Sequence, residues 1–209
     1  MLQKFESDRM RIQSSHPQDA RGLDPYFTPV EAVLALLDIE PSIPKRVLEP
    51  AAGDGAIVRP VRAAGFYVVA QDIRDYGLAD CTIADYLTTP IPTGSFGAVV
   101  TNPPFKRAEE FARKAITEVP YTALLLRTNF LESNSRLPFF RRSLPTRVWI
   151  SSRRLPMMHR HGWDGPKAPS NTCYAWFIWD RRCTPRPPGG CWMGWFDWRE
   201  SVDRVAVNA

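Results

Sequence analysis

The run Asn102-Pro103-Pro104-Phe105 combines residue types suited to one demanding reaction. An exocyclic amino group on a nucleobase is a weak nucleophile, because its lone pair is delocalised into the ring. Two acceptors aimed at its hydrogens favour the pyramidal form that can take up a methyl group. Asn102 Oδ1 can supply one acceptor and the Pro103 carbonyl the other. A proline disfavours the α region for the residue before it, so Pro104 keeps Pro103 extended and Pro103 keeps Asn102 extended. Acceptors held this stiffly stabilise developing charge with little reorganisation. Phe105 then offers an aromatic face on which an extruded base can stack. In isolation the four residues would more often be a proline-rich turn between a strand and a helix, so their surroundings decide.

Upstream lies Glu49-Pro50-Ala51-Ala52-Gly53-Asp54-Gly55, a short strand end running into a glycine turn. Gly53 and Gly55 permit positive φ and let a ligand approach the backbone. A dinucleotide site would carry the fuller G-x-G-x-x-G to seat a pyrophosphate. Here the third glycine is missing and a carboxylate precedes the turn, which suits a cationic amino-acid moiety better than a phosphate. Asp72 closes the next strand and can accept ribose hydroxyls, as the acid of dinucleotide folds does. Asp85 follows the third strand and can accept from an adenine amino group. Ile73 and Tyr86, next to these acids, join the expected ligand contacts. A single Asp at a strand end is commonly just a turn residue. Three acids in register with a glycine turn favour a nucleoside-like cofactor.

These residues need a scaffold that sets them side by side, and the chain alternates short strands with helices. A helix over residues 30–38, with Thr28 as its cap and Pro29 at its first position, precedes strand 46–49. Then come helix 56–64 closed by Gly65, strand 66–70 running on to Asp72, and strands 81–84 and 97–101. Helix 107–118 and strand 122–126 follow. Such alternation predicts a parallel sheet covered by helices on both faces. Residues 148–152 and 174–179 read as two late strands forming a hairpin at a sheet edge. The stretch between them is a long loop of the kind that usually serves function. Residues 1–21 lack periodicity and read as a loose tail, leaving 22–209 as one domain. The Pro- and Trp-rich extension from 181 to 209 carries no assignable pattern.

The 209 residues suffice for one domain with a full core, and 44% hydrophobic against 23% charged residues is ordinary for a globular chain. No apolar run reaches the length of a membrane span, and the polar N-terminus carrying acids resembles no leader, so a cytoplasmic location is expected. Cys81, Cys173, Cys183 and Cys191 lack C-x-x-C spacing and read as free thiols; a zinc site drawing on the last three with His159 or His161 matches no ligand pattern. The net charge of +5 is uneven, since Glu132 is the single acid between Arg127 and Arg160. Beside a catalytic site such a region, residues 131–171, becomes a phosphate-binding surface. Its candidates are Arg141, Arg142, Arg153, Arg154, His159, Arg160, His161 and Trp163, with Lys106 next to the proline run.

On these motifs the chain resembles the class I S-adenosylmethionine (SAM)-dependent methyltransferases, particularly the amino-methylating DNA methyltransferases. Glu49 to Gly55 is similar to their first motif and Asn102 to Phe105 to their fourth. Tyr26-Phe27-Thr28-Pro29 is similar to the segment ahead of the first motif, which touches the methionine end of SAM. The resemblance implies an α/β, Rossmann-like fold: a mostly parallel twisted sheet, helices on both faces and a late antiparallel edge hairpin. It implies SAM contacts from Tyr26, Phe27, Thr28, Glu49, Pro50, Ala51, Gly53, Gly55, Asp72, Ile73, Asp85, Tyr86 and Asn102. It implies a target base held by Asn102, Pro103, Pro104 and Phe105, with no metal. The expected reaction is methylation of adenine N6 in DNA with short or relaxed specificity, because no stretch is large enough for a separate recognition domain. Asn at the head of the fourth motif also occurs in RNA adenine and protein glutamine methyltransferases, which leaves the polymer open. Cytosine-C5 chemistry is excluded, since no cysteine follows a proline. A non-enzymatic nucleic-acid-binding module would not require the ordered acids.

Overall fold

In a computed structural model, which describes residues 28–157, 172–183 and 189–207, the chain forms one eight-stranded sheet. Helix α1 (Val30–Ile39) leads into β1 (Arg46–Glu49), α2 (Val58–Ala63), β2 (Tyr67–Asp72), β3 (Cys81–Ile83) and β4 (Ala98–Thr101). A 3₁₀ turn at Phe105–Arg107 opens α3 (Ala108–Glu118), and β5 (Tyr121–Arg127) follows. Two further 3₁₀ turns precede α4 (Leu137–Arg142), then β6 (Arg147–Ser151), β7 (Tyr174–Asp180), β8 (Trp192–Phe196) and α5 (Trp198–Val207).

The strand order is β3-β2-β1-β4-β5-β7-β6-β8. The strands β1 to β5 pair in parallel, whereas β7 runs antiparallel between β5 and β6. The expected late antiparallel pair is therefore present, and β8, from the extension that the sequence left unassigned, adds outside it in parallel with β6. The chain moves outward from β1 to β3 and then returns to place β4 on the other side of β1. Ligands of open α/β sheets bind beyond the strand ends at such a reversal.

Alternation along each strand divides the core between the two faces. Val47, Val68, Val100, Leu125, Trp176 and Ile178 pack with α1 and α2 on one face, joined by Trp198 of α5. On the other face Leu124, Leu126 and Phe177 meet Ala108, Ala112 and Phe139, while Leu48 and Val99 meet Phe111 and Ala115. All seven residues of β7 are buried, as expected of a strand covered on both faces.

Two local expectations change. Thr28 does not cap α1: the cap position is Pro29, which makes no side-chain cap bond, and the Thr28 hydroxyl accepts from Asn102 instead. Helix α2 starts at Val58 rather than residue 56, because the Asp54 carboxylate takes the Ala56 N–H into a local turn that competes with the helix. Its C-terminal end is as expected, with Gly65 at φ +79° donating to the Arg62 carbonyl.

Candidate active site

The glycine turn is lashed to the end of β2. Gly53 N–H donates to Asp72 Oδ2 at 2.9 Å, and Ala52 N–H donates to the Gln71 carbonyl at 3.0 Å. Gly53 and Gly55 hold φ of +53° and +91°, which L residues rarely adopt. A Cβ on Gly55 would also lie 2.6 Å from Leu78 Cδ1, a side-chain end that would have to shift, so the positive φ is the firmer reason for glycine. The other Asp72 oxygen accepts from Arg74 N–H at 3.0 Å. Asp72 thus shapes the turn, a role that spacing alone does not reveal. Beside it Ile73 is 56% exposed, an apolar side chain presented at the strand tip.

Glu49 is fully buried at the tip of β1. Its Oε1 accepts from Ala51 N–H at 3.0 Å, and its Oε2 has no hydrogen-bond partner among the described residues. Burial raises its pKa to about 8. The Thr101 hydroxyl, short of normal hydrogen-bond geometry, and the Ala51 N–H pull it down, while the charge of Asp72 pushes it up. A buried carboxylate oxygen awaiting a donor fits the cationic amino-acid end of a cofactor. Pro50 is buried behind this loop and Ala51 is partly exposed.

The β2–β3 ladder continues as Ala84 N–H donates to the Asp72 carbonyl at 2.8 Å, which keeps Asp85 next to Asp72. Asp85 accepts from Leu87 N–H at 2.9 Å, and its Oδ2 lies 3.7 Å from Arg107. Tyr86 does not face the strand tips. Its ring is buried 5.0 Å from Phe111, and its hydroxyl, without a partner among the described residues, is raised in pKa by that burial.

Asn102 lies directly after β4, across β1 from Asp72. Its Nδ2 donates to Thr28 Oγ1 at 3.1 Å, which orients the side-chain amide. Pro103 is buried and Pro104 exposed. The Pro104 carbonyl accepts from Arg107 N–H at 2.9 Å and closes the turn that carries Phe105. The Phe105 ring lies 6.1 Å from that of Tyr174, and the Arg127 guanidinium sits 4.0 Å over its centroid. Sequence reasoning missed Arg127 as part of the site. The available signal was its place as the last residue of the strand beside β4.

Glu49, Asp72, Asp85 and Asn102 therefore stand at the same end of four adjacent strands, about 15 Å from first to last at the usual strand spacing. The proposed cationic surface is less unified. Lys106 is exposed next to Phe105, and Arg153 and Arg154 follow β6 at this same end. Arg153 pairs with Asp197, and Arg154 donates to Cys173 Sγ at 3.0 Å. Arg141 and Arg142 sit at the opposite end, where Trp179 Nε1 bonds the Ser143 carbonyl and Thr146 N–H bonds the Ile178 carbonyl. The length of β7, about 20 Å, separates them from the Asn102 end. The reason is geometric: β6 runs between the two arginine pairs and carries them to opposite ends of the sheet. Tyr26, Phe27, His159, Arg160, His161 and Trp163 lie outside the described residues.

All four cysteines are free thiols, and no cluster of three or more His, Cys, Asp or Glu suited to a metal occurs among the described residues. No helix among them is long and apolar enough to cross a membrane.

No protein-family model matches the sequence, and no curated protein matches it. Solved structures do. A Pyrococcus horikoshii protein provisionally described as an RNA methyltransferase superposes with a TM-score of 0.56 at 16% identity, over 78% of this chain and 90% of that one. The M protein of the type I restriction enzyme EcoKI gives 0.53 at 14% identity, over 77% of this chain and 44% of its own. The 23S rRNA methyltransferase ErmE gives 0.52 at 17% identity, over 77% and 71%. With the strand order and the reversal at β1/β4, these similarities establish that the chain has the fold of the class I SAM-dependent methyltransferases.

Proposed function

We propose that this protein transfers a methyl group from SAM to an exocyclic amino nitrogen of a nucleic-acid base, with adenine N6 in DNA as the acceptor. The observation that carries this reading is the placement of Asn102, its amide oriented by Thr28, across β1 from the Asp72-braced glycine turn.

SAM, when bound, supplies an electrophilic methyl group on a sulfonium. Asp72 and Asp85 would accept from its ribose hydroxyls and adenine amine, with Ile73 against the adenine. Glu49 would meet the amino-acid end, and the backbone of residues 51–55 would line the middle. On the acceptor side, Asn102 Oδ1 and the Pro103 carbonyl would accept the two amino hydrogens and favour the pyramidal nitrogen. The base would stack against the part of the half-buried Phe105 ring that the Arg127 guanidinium, 4.0 Å over its centroid, leaves open. The surplus proton leaves the nitrogen after transfer, so no covalent enzyme intermediate is needed. Alignment and fixed acceptors supply most of the acceleration.

Incubation with methyl-labelled SAM and double-stranded DNA, single-stranded DNA or RNA, followed by nucleoside analysis, tests the proposal. N6-methyladenine in DNA is the expected product. Label only in RNA would move the acceptor to that polymer, and label in neither would overturn the assignment.

A further inference from the structure

The outer edge of the sheet carries side chains that the catalytic proposal does not use. Trp192, Met193 and Trp195 of β8 are 60%, 54% and 64% exposed. Register separates their roles, because paired residues on adjacent strands share a face. Gly194 pairs with Trp149, whose ring lies so close that a Cβ on Gly194 would approach it to 2.3 Å, so Trp149 covers that face of β8 at Gly194 while Trp192 on the same face stays exposed. Met193 pairs with Val148 and Trp195 with Ile150, on the face that packs under Phe139 of α4. Among the described residues, nothing covers this face at the sheet edge.

Arginines flank both ends of the uncovered strip. Arg141 and Arg142 close α4 and are exposed; with Thr146, Gly189 and Gly190 they line a cavity of about 220 Å³ at the start of β8. Arg153 and Arg154 emerge beside its other end, where Ser152 N–H bonds the Phe196 carbonyl. Asp197, the carboxylate next to β8, is already held by Arg153. With Arg153 neutralised by Asp197, the strip offers an apolar aromatic centre with Arg141 and Arg142 at one end and the charge of Arg154 at the other.

We infer that β8 and its flanking arginines form a docking platform for single-stranded nucleic acid, with a base stacked on Trp195 and phosphates met by the arginines. Exposed aromatic faces interleaved with arginine match the chemistry of a single strand, whose bases are open to stacking, and a duplex hides those base faces. A second copy of the chain is a poorer match, because edge-to-edge pairing of β8 would bring Arg141 and Arg142 of one copy toward Arg154 of the other. Four strand spacings, about 19 Å, lie between β8 and β4, a distance that a few nucleotides of extended strand can cover. That this strand carries the methyl acceptor rests on the proposed function; the binding itself does not.

Polarisation of a labelled oligothymidylate separates the two, since thymine has no exocyclic amine and cannot occupy the acceptor site as a substrate. Trp195→Ala should weaken binding about tenfold, the value of one stacked base, with Trp195→Phe retaining most of it. The double variant Arg141→Ala/Arg142→Ala should weaken binding and flatten its salt dependence. Unchanged affinity in Trp195→Ala, or an equal loss on duplex DNA, would overturn the inference. So would a Trp195→Ala variant that converts a dimer to a monomer without changing oligonucleotide affinity. If Trp195-dependent binding is found while no polymer accepts methyl, the platform stands and the proposed reaction falls.

Discussion

Glu49 shows how one buried atom links the site to stability. Its folded pKa of about 8 lies above the ordinary 4.5, so its contribution to stability is full below about pH 4.5 and is lost as pH rises through about 8. Glu49→Gln, which imitates the neutral carboxyl, should therefore gain stability relative to the parent as pH rises across that window. Urea unfolding of both proteins at several pH values checks this, and a constant difference would contradict it. Arg127 yields a second expectation. Its guanidinium covers the Phe105 ring at 4.0 Å, so Arg127→Ala should change the KM for the polymer by several-fold, with the Kd for SAM unchanged. The acids and the Asn-Pro-Pro-Phe run were legible in the sequence because their spacing ties them to strand ends. Arg127 was not, since an arginine closing an apolar strand looks like any solvated residue. Nor was the inward turn of Tyr86, which depends on Phe111 from a distant helix.

At the scale of elements, the strands that position the site were readable from short apolar runs punctuated by glycine and acid. The elements that failed share a cause: their pattern is set by neighbours. Helix α4 is six residues long with proline at its start, too short for a period to show. Strand β8 mixes Trp192, Met193, Gly194 and Trp195 without polar alternation: Trp149 covers only Gly194, and the three large side chains stay exposed. One fastening between elements lies wholly outside the sequence pattern. Glu40, just after α1, is buried and accepts from Arg147 at 2.6 and 2.8 Å, from Trp149 Nε1 at 2.7 Å and from the Tyr121 hydroxyl at 3.1 Å. It ties α1 to β5 and β6 at the end of the sheet opposite the site. Glu40→Ala would strip these donors of their acceptor and should cost about 3 kcal/mol in urea unfolding. A loss under about 0.5 kcal/mol, the level of a surface substitution, would contradict the role given to it.

For the molecule as a whole, the sheet assigns its two halves different work. Strands β1 to β3 brace the glycine turn and its acids, while β4 and β5 carry the Asn-Pro-Pro-Phe turn and the arginine over its ring. The sequence indicated both halves, but their adjacency came only with the order that returns β4 to β1. Substituting one residue on the β4 side tests that adjacency. In Asn102→Ala, SAM affinity measured by calorimetry should stay within about twofold of the parent while kcat falls about 100- to 1000-fold, the scale of losing one aligned hydrogen-bonding group. Turnover at the parent rate would contradict the role given to Asn102, as would a fall in SAM affinity large enough to explain the lost activity.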